Sequence, residues 1–274
     1  MNIVKIPKKL RDVSETLRSG QIESGLEQLE QLTGFEPQKA IIRAEIGYFR
    51  GDCETAMTND ENGLPYDGQW YSGNVLSEHF FAYSNTALIS GNVSRAQAFY
   101  KGFLSGKEKS NLPEHSIKMY RHQVKNHLDK LKGEKNLAID KKQLRVVKHG
   151  KQADEFAAQL KAYRPKLTFD SREGAEYLLH FTFEEGTTDE SLPYYEKFAD
   201  QIASGDHHIH AGRLYQLIGQ TEKAKAAIMR FVKNWHPVEY IQIAPMILFS
   251  YEDLQPLLTI EFKQEILQTP KGKY

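Results

Sequence analysis

The chain has 274 residues, a single cysteine and 36 basic against 36 acidic side chains, so its formal net charge is zero and no global field draws it to nucleic acid or an anionic membrane. Its length allows one long domain or two short ones, and 40% apolar residues suffice for a sizeable core. Cys53 alone excludes an internal disulfide framework and suits a reducing cytoplasm, and no run of about 18 uncharged apolar residues predicts a membrane span.

The opening MNIVKIPKKLRD has no long apolar stretch behind its lysines, so no signal peptide is expected. Leu10, Val13 and Leu17 recur at helical spacing and predict a first helix. Then comes Gly20-Gln-Ile-Glu-Ser-Gly25, a signature of a glycine, a polar stretch and a small residue five positions on. It returns as Gly51…Ala56 after the stripe Ile41, Ile42, Ile46 and Phe49, and as Gly91…Ala96 after Val75, Phe80, Leu88 and Ile89. A fourth copy, Gly219…Ala224, follows Leu214, Leu217 and Ile218. Each copy predicts helix, turn and helix. The glycine closes the first helix at positive φ. Glu23, Glu54, Ser94 and Glu222 suit the positive end of the second, and the small residue lets the two helices approach. Recurrence of such a unit predicts an α-helical repeat.

The spacing between copies is 31, 40 and then 128 residues. The polar stretch from Asn59 to Asn74 lengthens the second interval and reads as a loop. Its Tyr66, Trp70 and Tyr71 are candidate anchors for a protein partner, or a plug between hairpins in the case of Trp70. In the third interval Pro113 starts a helix carrying Ile117, Tyr120, Val124, Leu128 and Leu131. Asp140 caps a short basic helix to Gly150, and Phe156, Leu160 and Tyr163 continue until Pro165. Ser171 caps a helix carrying Ala175, Leu178, Leu179 and Phe183 to Gly186, partnered by Tyr195, Phe198 and Ile202 up to Gly205. Val238 to Ile243 alternates like a strand, but a lone strand has nothing to pair with. A helix over 259–268, polar at Glu261, Lys263, Gln264 and Glu265, closes the stack.

Around the glycines stand Leu29, Leu32 and Pro37; Ala44; Ser84, Tyr100 and Phe103; and Gly212, Ile228, Phe231 and Pro237. With the turns they resemble the tetratricopeptide repeat, a pair of antiparallel helices, although Asp60 occupies a place where that family has an apolar residue. The resemblance implies an all-α solenoid of helix hairpins in one domain over 1–274. Its parts are a first block over 1–110 with the insertion 59–74, divergent middle helices over 111–205, a last repeat over 206–236 and a C-terminal capping segment over 237–274. It also implies a concave face formed by the first helices that binds a peptide or a helix. By position that face carries Gln38, Ile41, Glu45, Tyr48, Glu78, Phe81, Asn85, Arg213 and Gln216. Glu45 and Glu78 suit a basic or amphipathic segment rather than a terminal carboxylate.

Two other chemistries are legible. Asp206-His207-His208-Ile209-His210 would put His207 and His210 on one helix face with Asp206 as a third metal ligand, or Asp206 simply caps the helix. The pair His115 and His122 and the pair His180 and Glu184 could each share a face without forming a zinc-protease motif. From Lys118 to Lys151 there are eleven basic residues and three acids, a patch for an acidic partner or RNA, or a solvated helix face. No nucleophile elbow, phosphate loop or dinucleotide fingerprint occurs, and Asp52 and Glu54 oppose a reactive Cys53 thiol. The expectation is a cytoplasmic protein- or peptide-binding scaffold with no catalytic residue and no cofactor. A metal-dependent enzyme at 206–210 and an RNA-binding solenoid at 118–151 are the alternatives.

Overall fold

The computed structural model describes residues 7–64, 73–105, 114–133, 170–176, 179, 191–203 and 205–272. Among them every regular element is a helix and there is no strand. The chain divides into two compact units. One combines Met1–Leu137 with Trp235–Tyr274, and the other is Ala138–Asn234.

The first unit begins with α1 (Lys8–Arg18), α2 (Ile22–Gln31), α3 (Glu36–Arg50), α4 (Cys53–Gly63), α5 (Gly73–Ser90), α6 (Val93–Ser105) and α7 (Glu114–Leu131). Helices α1 and α2, α3 and α4, and α5 and α6 pack as pairs. Their turn glycines Gly20, Gly51 and Gly91 all have positive φ, as the signature requires. The small residues that follow mark the closest approaches. A Cβ at Gly25 would lie 2.4 Å from the Leu17 side chain, and one at Gly47 would lie 2.8 Å from the backbone of Ala56. Asp52 caps α4 by accepting from the Thr55 amide. Glu30 and Arg43, 2.6 Å apart, join α2 to α3, as does the pair Glu23 and Arg50. The apolar stripes Leu10, Val13, Leu17 and Ile41, Ile42, Ile46, Phe49 are buried. Of the third stripe Val75 and Phe80 are buried, whereas Leu88 and Ile89 are exposed.

The closing part of this unit has a different texture. After Trp235 the chain runs through turns, two 3-10 turns, η1 (Met246–Ser250) and η2 (Glu252–Leu254), and the last helix, labelled α10 (Ile260–Gln268). Pro237, Pro245 and Pro256 deny it a long helix, since proline lacks an amide hydrogen and clashes with the preceding turn. The alternating stretch 238–243 is turn and coil, not strand. Thr259 caps α10 through the Phe262 amide, close to the start expected at 259. Segment η1 packs on α5, and α10 packs on α3.

In the second unit, Ser171 accepts from the Gly174 amide as a helix cap, and Ala175 and Leu179 are buried. Then come a short helix Leu192–Phe198, α8 (Gly205–Leu217) and α9 (Thr221–Asn234). Gly219 turns α8 into α9 at positive φ. Gly205 opens α8 instead of ending the helix before it, and a Cβ there would lie 3.0 Å from the Phe231 ring. Gly212 is the contact point of the pair, facing Ile228. Another boundary moves in the first unit, where Asn59–Gly63 belong to α4 and α5 begins at Gly73, so the insertion is shorter than 59–74. The expected helices over 140–150 and 156–163, and the end at Gly186 of the helix that Ser171 caps, lie outside the described residues.

Candidate functional site

The site grows from the first helix of each hairpin in the first unit. Arg18 ends α1, Glu45 and Tyr48 lie in the second half of α3, Glu78 and Asn85 lie on α5, and Lys130 ends α7. All meet the closing segment, and three of them, Arg18, Glu45 and Asn85, hold its main chain. One carboxylate oxygen of Glu45 accepts the amides of Ile243 and Ala244 at 2.8 and 3.2 Å. Arg18 donates to the carbonyls of Tyr240 and Gln242, both at 2.9 Å. Asn85 donates to the Phe249 carbonyl at 2.9 Å and accepts from Lys130 at 2.6 Å, and Lys130 also pairs with Glu252. The Phe249 ring sits against Tyr48 and Phe49, with centroids 5.7 and 5.2 Å away.

Of the residues placed on a concave face by the family resemblance, Glu45, Tyr48, Glu78 and Asn85 are therefore met by this segment. Gln38, Ile41, Glu45, Tyr48, Glu78 and Asn85 are buried, and Phe81 is half-buried with its ring edge-on to His127. The cover contributes large buried side chains of its own: Ile241, Ile243, Met246, Leu248, Phe249, Leu254 and Leu257. At about 1.5–3 kcal/mol each, their burial is worth roughly 10–20 kcal/mol as an upper figure, comparable to the whole net stability of a domain. The closing segment is thus part of the core of this unit.

Beneath it lies a buried ionic cluster that sequence reading missed. Asp60, the misfit in the repeat pattern, accepts from His79 Nδ1 at 2.8 Å and from the Tyr48 hydroxyl. Glu45 Oε1 lies 3.5 Å from His79 Nε2, within ion-pairing range but without a formed hydrogen bond. Burial opposes a charge on His79. The Asp60 carboxylate, and then Glu45, outweigh it and hold the imidazole pKa at about 10. Glu78 is pushed up to about 7 by burial, with His79 opposing and Glu45 adding. Lys271 donates to the carbonyls of Leu267 and Thr269, and burial lowers it to about 7 against the attraction of Glu45. The signal that could have found this cluster was Asp60 itself, a carboxylate at an apolar register position.

A second buried histidine, His127, has its Nδ1 3.0 Å from Ser84 Oγ and stacks on Tyr100. Burial keeps it neutral, at about 3, and Ser84 is wholly enclosed, so this serine–histidine pair is a packing element. In the second unit His208 is buried between the Tyr195 hydroxyl (2.9 Å) and the Ile202 carbonyl (3.0 Å), and burial lowers its pKa. His207 and His210 are half-buried on α8 and Asp206 lies in its first turn. Among the described residues no group of three or more His, Cys, Asp or Glu could hold a metal ion. Arg213 is buried and Gln216 half-buried on the same helix. Of the basic run, Lys118, Arg121 and Lys125 are exposed on α7, and the part from 134 lies outside the described residues, as do Tyr66, Trp70, Tyr71 and His180. Among the described residues no helix is long and apolar enough to cross a membrane. Comparison with family models, curated proteins and solved structures found no match.

Proposed function

We propose that the chain is a cytoplasmic protein- or peptide-binding module, a stack of helix hairpins whose first helices form the receptor face. One observation carries this reading. The first helices α1, α3 and α5 turn polar side chains to the main chain of one segment of turns and 3-10 helix, grasping two consecutive amides through Glu45 and carbonyls through Arg18 and Asn85. Such recognition reads backbone more than side chains, as in other extended-peptide receptors. In this chain the occupant is supplied in cis, and a tethered occupant competes at an effective concentration in the millimolar range. The carboxylates Glu45 and Glu78 favour basic or amphipathic ligands in trans. The reading is of a binder rather than an enzyme.

The test weakens the cis occupant and leaves the receptor side chains intact. A full-length Gln242→Ala/Phe249→Ala variant should bind a labelled peptide copy of residues 236–258 with a Kd of about 1–100 µM, against at least tenfold weaker binding by the parent. Adding Glu45→Ala should remove that binding. A variant that keeps its helical circular dichroism and takes up no such peptide would count against the receptor reading. The single Gln242→Ala change serves if the double variant does not fold.

A further inference from the structure

Residues 238–244 differ from the rest of the closing segment. Val238 and Tyr240 are exposed while Ile241 and Ile243 are buried, and beside that burial the stretch is held by polar contacts converging on Gln242. The Gln242 side-chain oxygen accepts the amides of Val238 and Glu239, at 2.8 and 3.0 Å, which fixes the turn. Its amide nitrogen reaches Glu78 at 3.3 Å, and its carbonyl is one of the two held by Arg18. Glu78 is 8% exposed. Its carboxyl receives this one long hydrogen bond, in a place already occupied by the Glu45 carboxylate.

Charged groups surround the carboxyl as follows. Glu45 comes from α3 and repels it, and His79 from α5 attracts it but is committed to Asp60 of α4. Arg18 of α1 is turned to the carbonyls of the segment, and Lys271 faces Glu45 and Arg18. An ionised Glu78 is therefore a buried carboxylate with one weak donor and a like charge beside it, the arrangement that burial penalises most. A neutral Glu78 carries no such penalty.

We propose that Glu78 is a pH-sensitive latch for residues 238–244: its neutral carboxyl keeps the turn seated on α1, α3 and α5, and its ionisation lets that turn open while the apolar anchors Met246–Leu257 stay in place. Local opening of this kind is a sub-global event, independent of unfolding of the unit. The sign follows from linkage. A carboxyl at about 7 when closed and near its ordinary value when open binds more protons in the closed form, so closure weakens as pH rises from about 4.5 to 7. Lys271, lowered to about 7, acts with the opposite sign above pH 7. A Glu78 variant separates the two.

The experiment is amide hydrogen exchange of Ile243 and Ala244 in the full chain at pH 5.5, 7.0 and 8.5, corrected for intrinsic exchange. The parent's protection should fall by roughly tenfold from about pH 5.5 to 7.0, while amides at Leu17 and Ile42 hold steady. Glu78→Gln should show no such fall between pH 5.5 and 7.0. Protection independent of pH in the parent, or an unaltered fall in Glu78→Gln, would overturn the latch. If Glu78→Gln does not fold, carbon-13 titration of the Glu78 carboxyl in the parent decides, since a midpoint in the ordinary carboxylate range also overturns it. No added peptide enters these measurements, so their failure is distinct from failure of the receptor reading.

Discussion

Asp60 shows how much one side chain can carry. Its carboxylate partners His79 and Tyr48 in a fully buried place. Removing one member of such a group strands the other charge, so Asp60→Ala should cost about 3–5 kcal/mol, read as a lower urea midpoint. Its pH signature has a definite sign. His79, raised to about 10, adds stability that is fully present below its unfolded value near 6.5 and is lost as pH climbs through 10. Lys271, lowered to about 7, contributes the reverse slope from about 7 to 10.5. Between pH 7 and 10 the two slopes nearly cancel in the parent, so Lys271→Met should expose a loss of stability with rising pH there, and Asp60→Ala a gain.

At the scale of elements, the turn glycines share a conformation but not an environment. Gly91, at φ 74°, has nothing within 4 Å of a would-be Cβ, whereas at Gly20, φ 86°, that atom would lie 2.1 Å from the Gln268 carbonyl at the end of α10. Gly91→Ala should thus cost only the left-handed penalty of about 1–2 kcal/mol. Gly20→Ala should cost clearly more and loosen α10, which calorimetry and exchange at Phe262 and Ile266 would register. These hairpins were legible because a positive-φ turn and a small residue at the crossing leave local marks in the sequence. The cover over α1, α3 and α5 was not. Its contacts join residues 164 to 224 positions apart, such as Asn85 with Phe249 and Arg18 with Gln242, and no local pattern encodes such pairs. Glu45, Glu78 and Asn85 were singled out as partner-binding residues, and the structure buries them against the closing segment. The segment they contact, residues 238–254, read only as a strand candidate and a cap.

At the scale of the whole molecule, one unit interrupts the other, since Ala138–Asn234 is spliced between α7 and the segment that completes the first unit's core. A chain stopped after Asn234 keeps all of the second unit but loses Ile243, Met246, Leu248 and Phe249 from the first. In such a chain exchange protection should collapse in α3 and α5 and persist in α8 and α9. The same splice governs birth on the ribosome. Helices α1 to α7 emerge with their inner face uncovered and must wait for more than a hundred residues to be added before Ile241 to Leu257 arrive. At about 5–20 residues per second that delay is on the order of ten seconds, long compared with helix formation. During it the nascent protein presents apolar and acidic surface that the finished one conceals, so its dependence on chaperones should concentrate in translation rather than in the mature state.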